Sequence, residues 1–302
     1  MNSYYIAGNR GLIGSKMMEY FDNCEGGNTS TINYKNYIAT RVDISLYEPT
    51  HVIINAASVG GIQEDLDNSF SVYGDNISIQ NNLLQTAHEN KIHRVLLQGS
   101  GCSYPNAGND QYFVEDDLMS GKPHPAYMPS AMCKLLGMEQ IKAHNANYGS
   151  KWTTAINTNI FGAGERNGKY AHVIGALIEK FHNAVQDDLT EIEIWGSGNQ
   201  TRDLLYVEDA ITAYDLIINN DEFDVVNVSY GEAISIGYIA DRLKTISGFT
   251  GRLWFNRERP EGVLHRRMDN TRLRSLGWEP KFTIEDALTK TYEDYMVQHD
   301  NT

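Results

Sequence analysis

The residues best suited to chemistry at the start of the 302-residue chain form a glycine turn, Gly8-Asn9-Arg10-Gly11-Leu12-Ile13-Gly14. It follows the apolar run Tyr4-Tyr5-Ile6-Ala7 and opens a helix-like segment. In that setting glycines let the backbone approach a pyrophosphate at a helix N-terminus. The spacing is GxxGxxG, and an ordinary tight turn is the alternative. An NAD-selective site carries an acid about twenty residues further on, where it grips the ribose hydroxyls. Here that stretch reads Thr31-Ile32-Asn33-Tyr34-Lys35-Asn36, without a carboxylate. Lys35 at that strand end and Arg10 inside the turn attract a 2′-phosphate, so the expected cofactor is NADP(H). Asp43, in Val42-Asp43-Ile44, is placed to meet the adenine, although an exposed turn aspartate would look the same.

Seven arginines, Arg252, Arg257, Arg259, Arg266, Arg267, Arg272 and Arg274, fall within 23 residues of a chain whose formal charge is -14. A cationic segment on an acidic protein suggests an anionic small ligand. A solvated surface paired with Glu258, Glu261 and Asp269 is the bland reading. Twenty-five basic against 39 acidic residues oppose nucleic acid and anionic membranes as partners. Cys24, Cys102 and Cys133 show neither a disulfide framework nor a zinc-ligand spacing, so no metal is expected and reduced thiols in the cytoplasm are the simplest reading. The opening residues leave no room for a signal peptide, and no run is long enough to span a membrane.

The elements that must hold these residues alternate. Short apolar runs at Tyr4–Ala7, His51–Asn55, Arg94–Gln98 and Trp152–Ile156 are separated by amphipathic segments, notably Asp75–Asn90 and Lys134–Tyr148. That rhythm predicts βαβ units on a parallel sheet, an α/β Rossmann domain. Beyond Phe161 the pattern loosens, with strands at Glu191–Trp195 and Asp224–Val228 and a helix near Ile236–Ile246. The expected division is a cofactor domain over 1–162 to which 203–229 returns. A smaller, partly interleaved substrate domain takes 163–202 and 230–302.

Several segments together resemble the extended short-chain dehydrogenase/reductases, and among them the GDP-L-fucose synthase family. They are GNRGLIGS at Gly8, NAASVGGI at Asn55, QGSGCSYP at Gln98, NTNIFG at Asn157, HVIGALIEKFH at His172, WGSGNQTRDLLYVED at Trp195 and LGW at Leu276. The resemblance spans nearly the whole chain. It implies NADPH-dependent epimerisation and reduction of a GDP-4-keto-6-deoxy sugar by a homodimer built on two helices of each Rossmann domain. It further implies cofactor contacts from Gly8, Arg10, Gly11, Leu12, Ile13, Gly14, Lys35, Asp43, Ala56, Lys134, Asn157, Asn159 and Ile160. Substrate contacts are implied for Lys180, Trp195, Arg202 and Arg266.

By the same resemblance, Ser100 and Lys134 occupy the family's hydride-transfer positions, while its tyrosine, four residues before the lysine, is Ser130. Tyr127, seven before Lys134, lies a helical turn too far to be a direct substitute. A serine alcohol is a far weaker acid than a phenol, and loss of a placed general acid removes roughly 10²–10⁴-fold in rate. Cys102 and His172 fall on the epimerisation base and acid positions. They exchange protons on the carbons flanking the ketone, while Ser100 steadies the enolate oxygen and Lys134 adds charge. Taken singly, each would be an ordinary thiol or histidine. Two alternatives follow from Ser130 and from the fold: an epimerase without efficient reduction, and a non-catalytic nucleotide-sugar binding subunit.

Overall fold

The computed structural model describes residues 2–58, 65–108, 110–164, 172–259 and 263–299. The first part runs β1 (Tyr4–Ala7), α1 (Leu12–Tyr20), β2 (Cys24–Gly27), α2 (Tyr37–Tyr47), β3 (His51–Ile54), α3 (Ser69–Glu89), β4 (Arg94–Gln98), β5 (Asp110–Phe113), α4 (Met128–Tyr148) and β6 (Lys151–Asn157). The second runs β7 (Asn159–Phe161), α5 (Val173–Gln186), β8 (Glu191–Trp195), β9 (Thr201–Tyr206), α6 (Val207–Ile218) and β10 (Val225–Val228). The last part holds β11 (Ala233–Ser235), α7 (Ile236–Ser247), β12 (Arg252–Asn256), β13 (His265–Met268), α8 (Thr271–Ser275) and α9 (Ile284–His299).

The fold is α/β, with a doubly wound parallel sheet of Rossmann type in the order β10-β6-β4-β3-β1-β2. The runs in β1, β3 and β10 are buried along their whole length, as a parallel sheet covered on both faces requires. Strand order reverses between β1 and β3, so a crevice opens beyond their carboxyl ends, the usual ligand position in such sheets. On one face Tyr5, Val52, Leu97 and Trp152 pack with Ile44, Leu83 and Ile141 of α2, α3 and α4. On the other, Ile6, Ile53 and Leu96 share one core with Tyr214 of α6, Ile178 of α5 and Leu288 of α9. That second core ties the later elements to the cofactor sheet.

β9 organises a second sheet, pairing with β7, antiparallel β11 and β13, and β13 in turn pairs with β5. β8 and β12 form a separate parallel pair that sets Trp195 opposite Asn256. Asp203, 2% exposed on β9, clamps these parts together by accepting from the backbone N–H of Tyr230 and Met268, both at 3.1 Å. Burial raises its pKa to about 6.

Two sequence expectations change. α3 and α4 begin earlier than the amphipathic pattern suggested, α4 with a proline in its first turn, where a missing N–H costs no helix bond. No strand reaches Lys35: β2 ends at Gly27, and the chain then turns, with the Thr31 N–H donating to the Asn28 carbonyl at 2.9 Å. No helix among the described residues is long and apolar enough to cross a membrane.

Candidate active site

The glycine turn lies at the crevice between β1 and β3. Gly8 has φ of +91°, and a Cβ there would come within 2.8 Å of the Ala56 nitrogen. At Gly14 a Cβ would sit 2.1 Å from the Gly8 carbonyl oxygen, so α1 can pack this close only with glycine. Gly11, the residue before α1, has no protein atom closer than 3.8 Å to such a Cβ. Packing therefore accounts for Gly8 and Gly14, while the bare backbone at Gly11 faces open space at a helix N-terminus, as an approaching pyrophosphate needs. Leu12 and Ile13 continue into α1 and pack partly on the core. The guanidinium of Arg10 donates to Ser30 Oγ at 3.0 Å, beyond the end of β2. These residues fit NADP(H), with the Arg10 cation beside the turn.

Several other residues expected at the cofactor have protein partners. Lys35 pairs with Asp75 at 3.0 Å. Asp43 lies within α2, and its carboxylate takes the hydroxyl of buried Tyr5, which also bonds Tyr34 at 2.8 Å. That contact braces the sheet. Asn157 donates to Gln98 and accepts from Tyr214 at 2.9 Å, and Ile160 is buried in the core, so both side chains are taken up by packing. Asn159 is exposed, its amide 3.3 Å from the Asp203 carbonyl.

β4 delivers the GSGC turn. Ser100 Oγ accepts from the Cys102 N–H at 3.2 Å, and Ser103 Oγ donates to the Ala131 carbonyl of α4 at 3.4 Å. Ser100, Cys102 and the helix carrying Lys134 thus meet. No carboxylate pairs with Lys134 among the described residues, and burial lowers its pKa to about 8. Ser130 Oγ donates to Asp65 Oδ1 at 2.7 Å. Tyr127 reaches the turn from the start of α4. Arg266 donates to its hydroxyl at 3.4 Å and, through its other nitrogen, to the Gly101 carbonyl. Burial pushes the Tyr127 phenol up, and the Arg266 charge opposes that. His172 is exposed immediately before α5.

Several arginines of the cationic segment are paired with carboxylates, as the solvated-surface reading has it, though with partners distant in sequence. Arg252 pairs with Glu191, Arg272 with Asp116 at 2.7 Å, and Arg274 with Glu279 at 3.8 Å. Arg267 stacks over Tyr112 at 4.4 Å. Arg202 donates to the carbonyls of Thr201 and Val263 at 2.8 and 2.7 Å. Around Trp195, which is 48% exposed, Lys180 and Arg259 sit over the ring at 5.5 and 5.2 Å, and Glu193 accepts its indole N–H at 3.1 Å. Burial lowers the Lys180 pKa.

A model of the NAD dependent epimerase/dehydratase family matches residues 4–231. The chain belongs to that family. Among curated relatives of this epimerase/dehydratase chain, GDP-L-fucose synthase 1 of Arabidopsis thaliana is 29% identical over 97% of this chain and 92% of its own length. GDP-L-fucose synthase of Escherichia coli is 27% identical over 98% and 97%. A GDP-mannoheptose C4 reductase from Campylobacter jejuni, solved with NADP bound, is 26% identical, with a TM-score of 0.84 covering 97% of this chain and 98% of that one.

No motif in the sequence marks Ser30, and the sequence names Arg259 only as one of the seven arginines. Only the β8–β12 register brings Arg259 near Trp195, and no local pattern signals it. Helical spacing puts Tyr127 a turn too far from Lys134 to be a direct substitute for the missing phenol, and the structure places it just before the regular helix.

Proposed function

We propose that the chain is an NADP(H)-dependent nucleotide-sugar epimerase/reductase acting on a GDP-4-keto-6-deoxy-hexose. The observation that carries this reading is the meeting of Ser100, Cys102, Tyr127, Arg266 and the Lys134 helix at the end of β4, in the same sheet as the glycine turn. Bound NADPH supplies the hydride. The chain's own residues do the rest.

A ketone acidifies the flanking C–H bonds. Cys102 as thiolate takes a proton from one face and His172 returns one to the other, while Ser100 and the Lys134 ammonium steady the enolate oxygen. Lys180, Trp195, Arg202 and Arg266 take the nucleoside diphosphate. For Arg202 this means exchanging carbonyl partners for phosphate oxygens, a stronger, charge-assisted contact, whereas Arg266 keeps the Gly101 carbonyl and reaches the phosphate with its remaining N–H groups. Residues 1–162 with 203–229 form the cofactor domain and the remainder the substrate domain. A second copy covers α3 and α4, where Phe70, Ile77, Met132 and Leu136 are exposed. Three free thiols fit a reducing cytoplasm.

Incubation with the 4-keto sugar nucleotide and NADPH in deuterated water tests the reading. Deuterium should enter C3 or C5, NADPH should be consumed, and the alcohol should accumulate; no exchange removes the epimerase assignment. A second reading, epimerisation without efficient reduction, is favoured by the Ser130 hydroxyl being donated to Asp65. Exchange without NADPH consumption selects it.

A further inference from the structure

We propose that Tyr127 donates the proton to the substrate's ketone oxygen, the role that a serine at position 130 leaves open. The inference rests on the reading of this site as one that reduces a 4-keto sugar. An acid for that step needs a group able to give up a proton, access to the oxygen beside Ser100, and a cation to hold the anion left behind.

Ser130 fails on the first count: an alcohol is a poor acid, and its hydrogen is already directed at Asp65, 2.7 Å away. The Tyr127 phenol can give up a proton, has such a cation in Arg266, and stands by the turn that carries Ser100. It stands three residues before Ser130, about one helical turn, at the N-cap of the helix that carries Lys134. Its hydroxyl lies 3.4 Å from an Arg266 nitrogen whose sister nitrogen grips the carbonyl of Gly101, the residue between Ser100 and Cys102. The phenol is therefore one guanidinium away from the catalytic turn. Its ring leans on His124, with centroids 5.2 Å apart, which fixes its direction. Burial, and more weakly the neighbouring Cys102, favour the protonated phenol needed at the outset, while Arg266 and, more weakly, Arg202 favour the phenolate that forms.

The step balances. The ketone carbon gains a hydride from NADPH and its oxygen gains the Tyr127 proton, giving a secondary alcohol, NADP⁺ and a phenolate held by Arg266. A solvent proton then restores the phenol.

The test uses substrate labelled with ¹³C at C4, bound to the full-length protein with NADP⁺ so that no reduction occurs. A phenol donating to the ketone oxygen moves the bound carbonyl resonance downfield of the free ketone. Tyr127→Phe, which keeps the ring and its packing, should move it back upfield, and Ser130→Ala should leave it in place. With NADPH, Tyr127→Phe should lose about 10²-fold or more in NADPH oxidation, while deuterium uptake at C3 or C5 persists. A wild-type resonance no further downfield than the free ketone overturns the inference without any variant. So does a Tyr127→Phe protein that oxidises NADPH at the wild-type rate, or one that loses deuterium uptake in parallel. A wild-type protein that never oxidises NADPH with this substrate overturns the reductase reading itself.

Discussion

The hydroxyl of Ser130 is donated to the carboxylate of Asp65 at 2.7 Å, on the helix that four residues later carries Lys134. Where the related enzymes' pattern calls for a phenol, this chain has a short, committed donor. Ser130→Ala should therefore change NADPH oxidation little. It should cost stability, roughly 1–3 kcal/mol, because the carboxylate of Asp65, 6% exposed, loses a hydrogen bond. Urea unfolding beside a steady-state assay separates the two effects, and a hundredfold rate loss would restore Ser130 to the chemistry.

The two glycines at the helix entrance should respond oppositely to alanine. Gly14→Ala drives a methyl to within 2.1 Å of the Gly8 carbonyl and should destabilise the protein by roughly 1–3 kcal/mol or more. Gly11→Ala meets nothing closer than 3.8 Å, so the thermal midpoint should hold while NADPH affinity falls about tenfold or more. Calorimetry with fluorescence titration reads both; a Gly11→Ala protein with unaltered affinity would remove the backbone-approach argument.

Coenzyme preference should follow Arg10 and ignore Lys35. Arg10 stands over Ser30 at 3.0 Å, whereas Lys35 is engaged by Asp75. Arg10→Ala should weaken NADPH by about tenfold or more, the worth of a charge-assisted contact, and leave NADH nearly unaffected. Lys35→Ala should alter neither, and titration with each coenzyme checks the contrast.

Lys134 sets a pH limit. Its folded pKa of about 8 lies below the ordinary 10.5, so the free enzyme loses this positive charge as pH rises through about 8. kcat/KM for reduction should fall along that limb, and Lys134→Arg, charged throughout, should abolish it. Stability carries the opposite sign: between about 8 and 10.5 the unfolded chain binds the extra proton, so this group makes the fold more stable as pH rises. Urea midpoints across that window test the linkage.

Much of this was legible in the chain. β1, β4 and β8 fall at their expected bounds because each is a short apolar or alternating run with turn residues beside it. β2 was not legible. Cys-Glu-Gly-Gly has no apolar rhythm and becomes a strand only by pairing with β1, where a Cβ on Gly26 would meet the Ile6 carbonyl at 2.4 Å. Misplacing that strand end misplaced Lys35. The glycine turn is legible because a local motif after an apolar strand marks it, whereas Cys102 is singled out only by the family resemblance. Arg266 on Gly101 was not legible, since the contact joins residues 165 apart and depends on the β13–β5 pairing.

The strand that completes the cofactor sheet, β10, is spelled by residues 225–228, after β7, β8 and β9 have been laid down elsewhere. A ribosome delivers the chain from its N-terminus at about 5–20 residues per second. The flank of β6 is therefore an open parallel edge for several seconds of every synthesis, when a nascent neighbour can pair with it. Tyr214 and Asn157, whose bond ties α6 to the end of β6, likewise meet only after that interval. The first 162 residues are then not a portable cofactor module. Cut there, the chain should aggregate along β6, and the binding cleft should mature only once the later sequence has folded back.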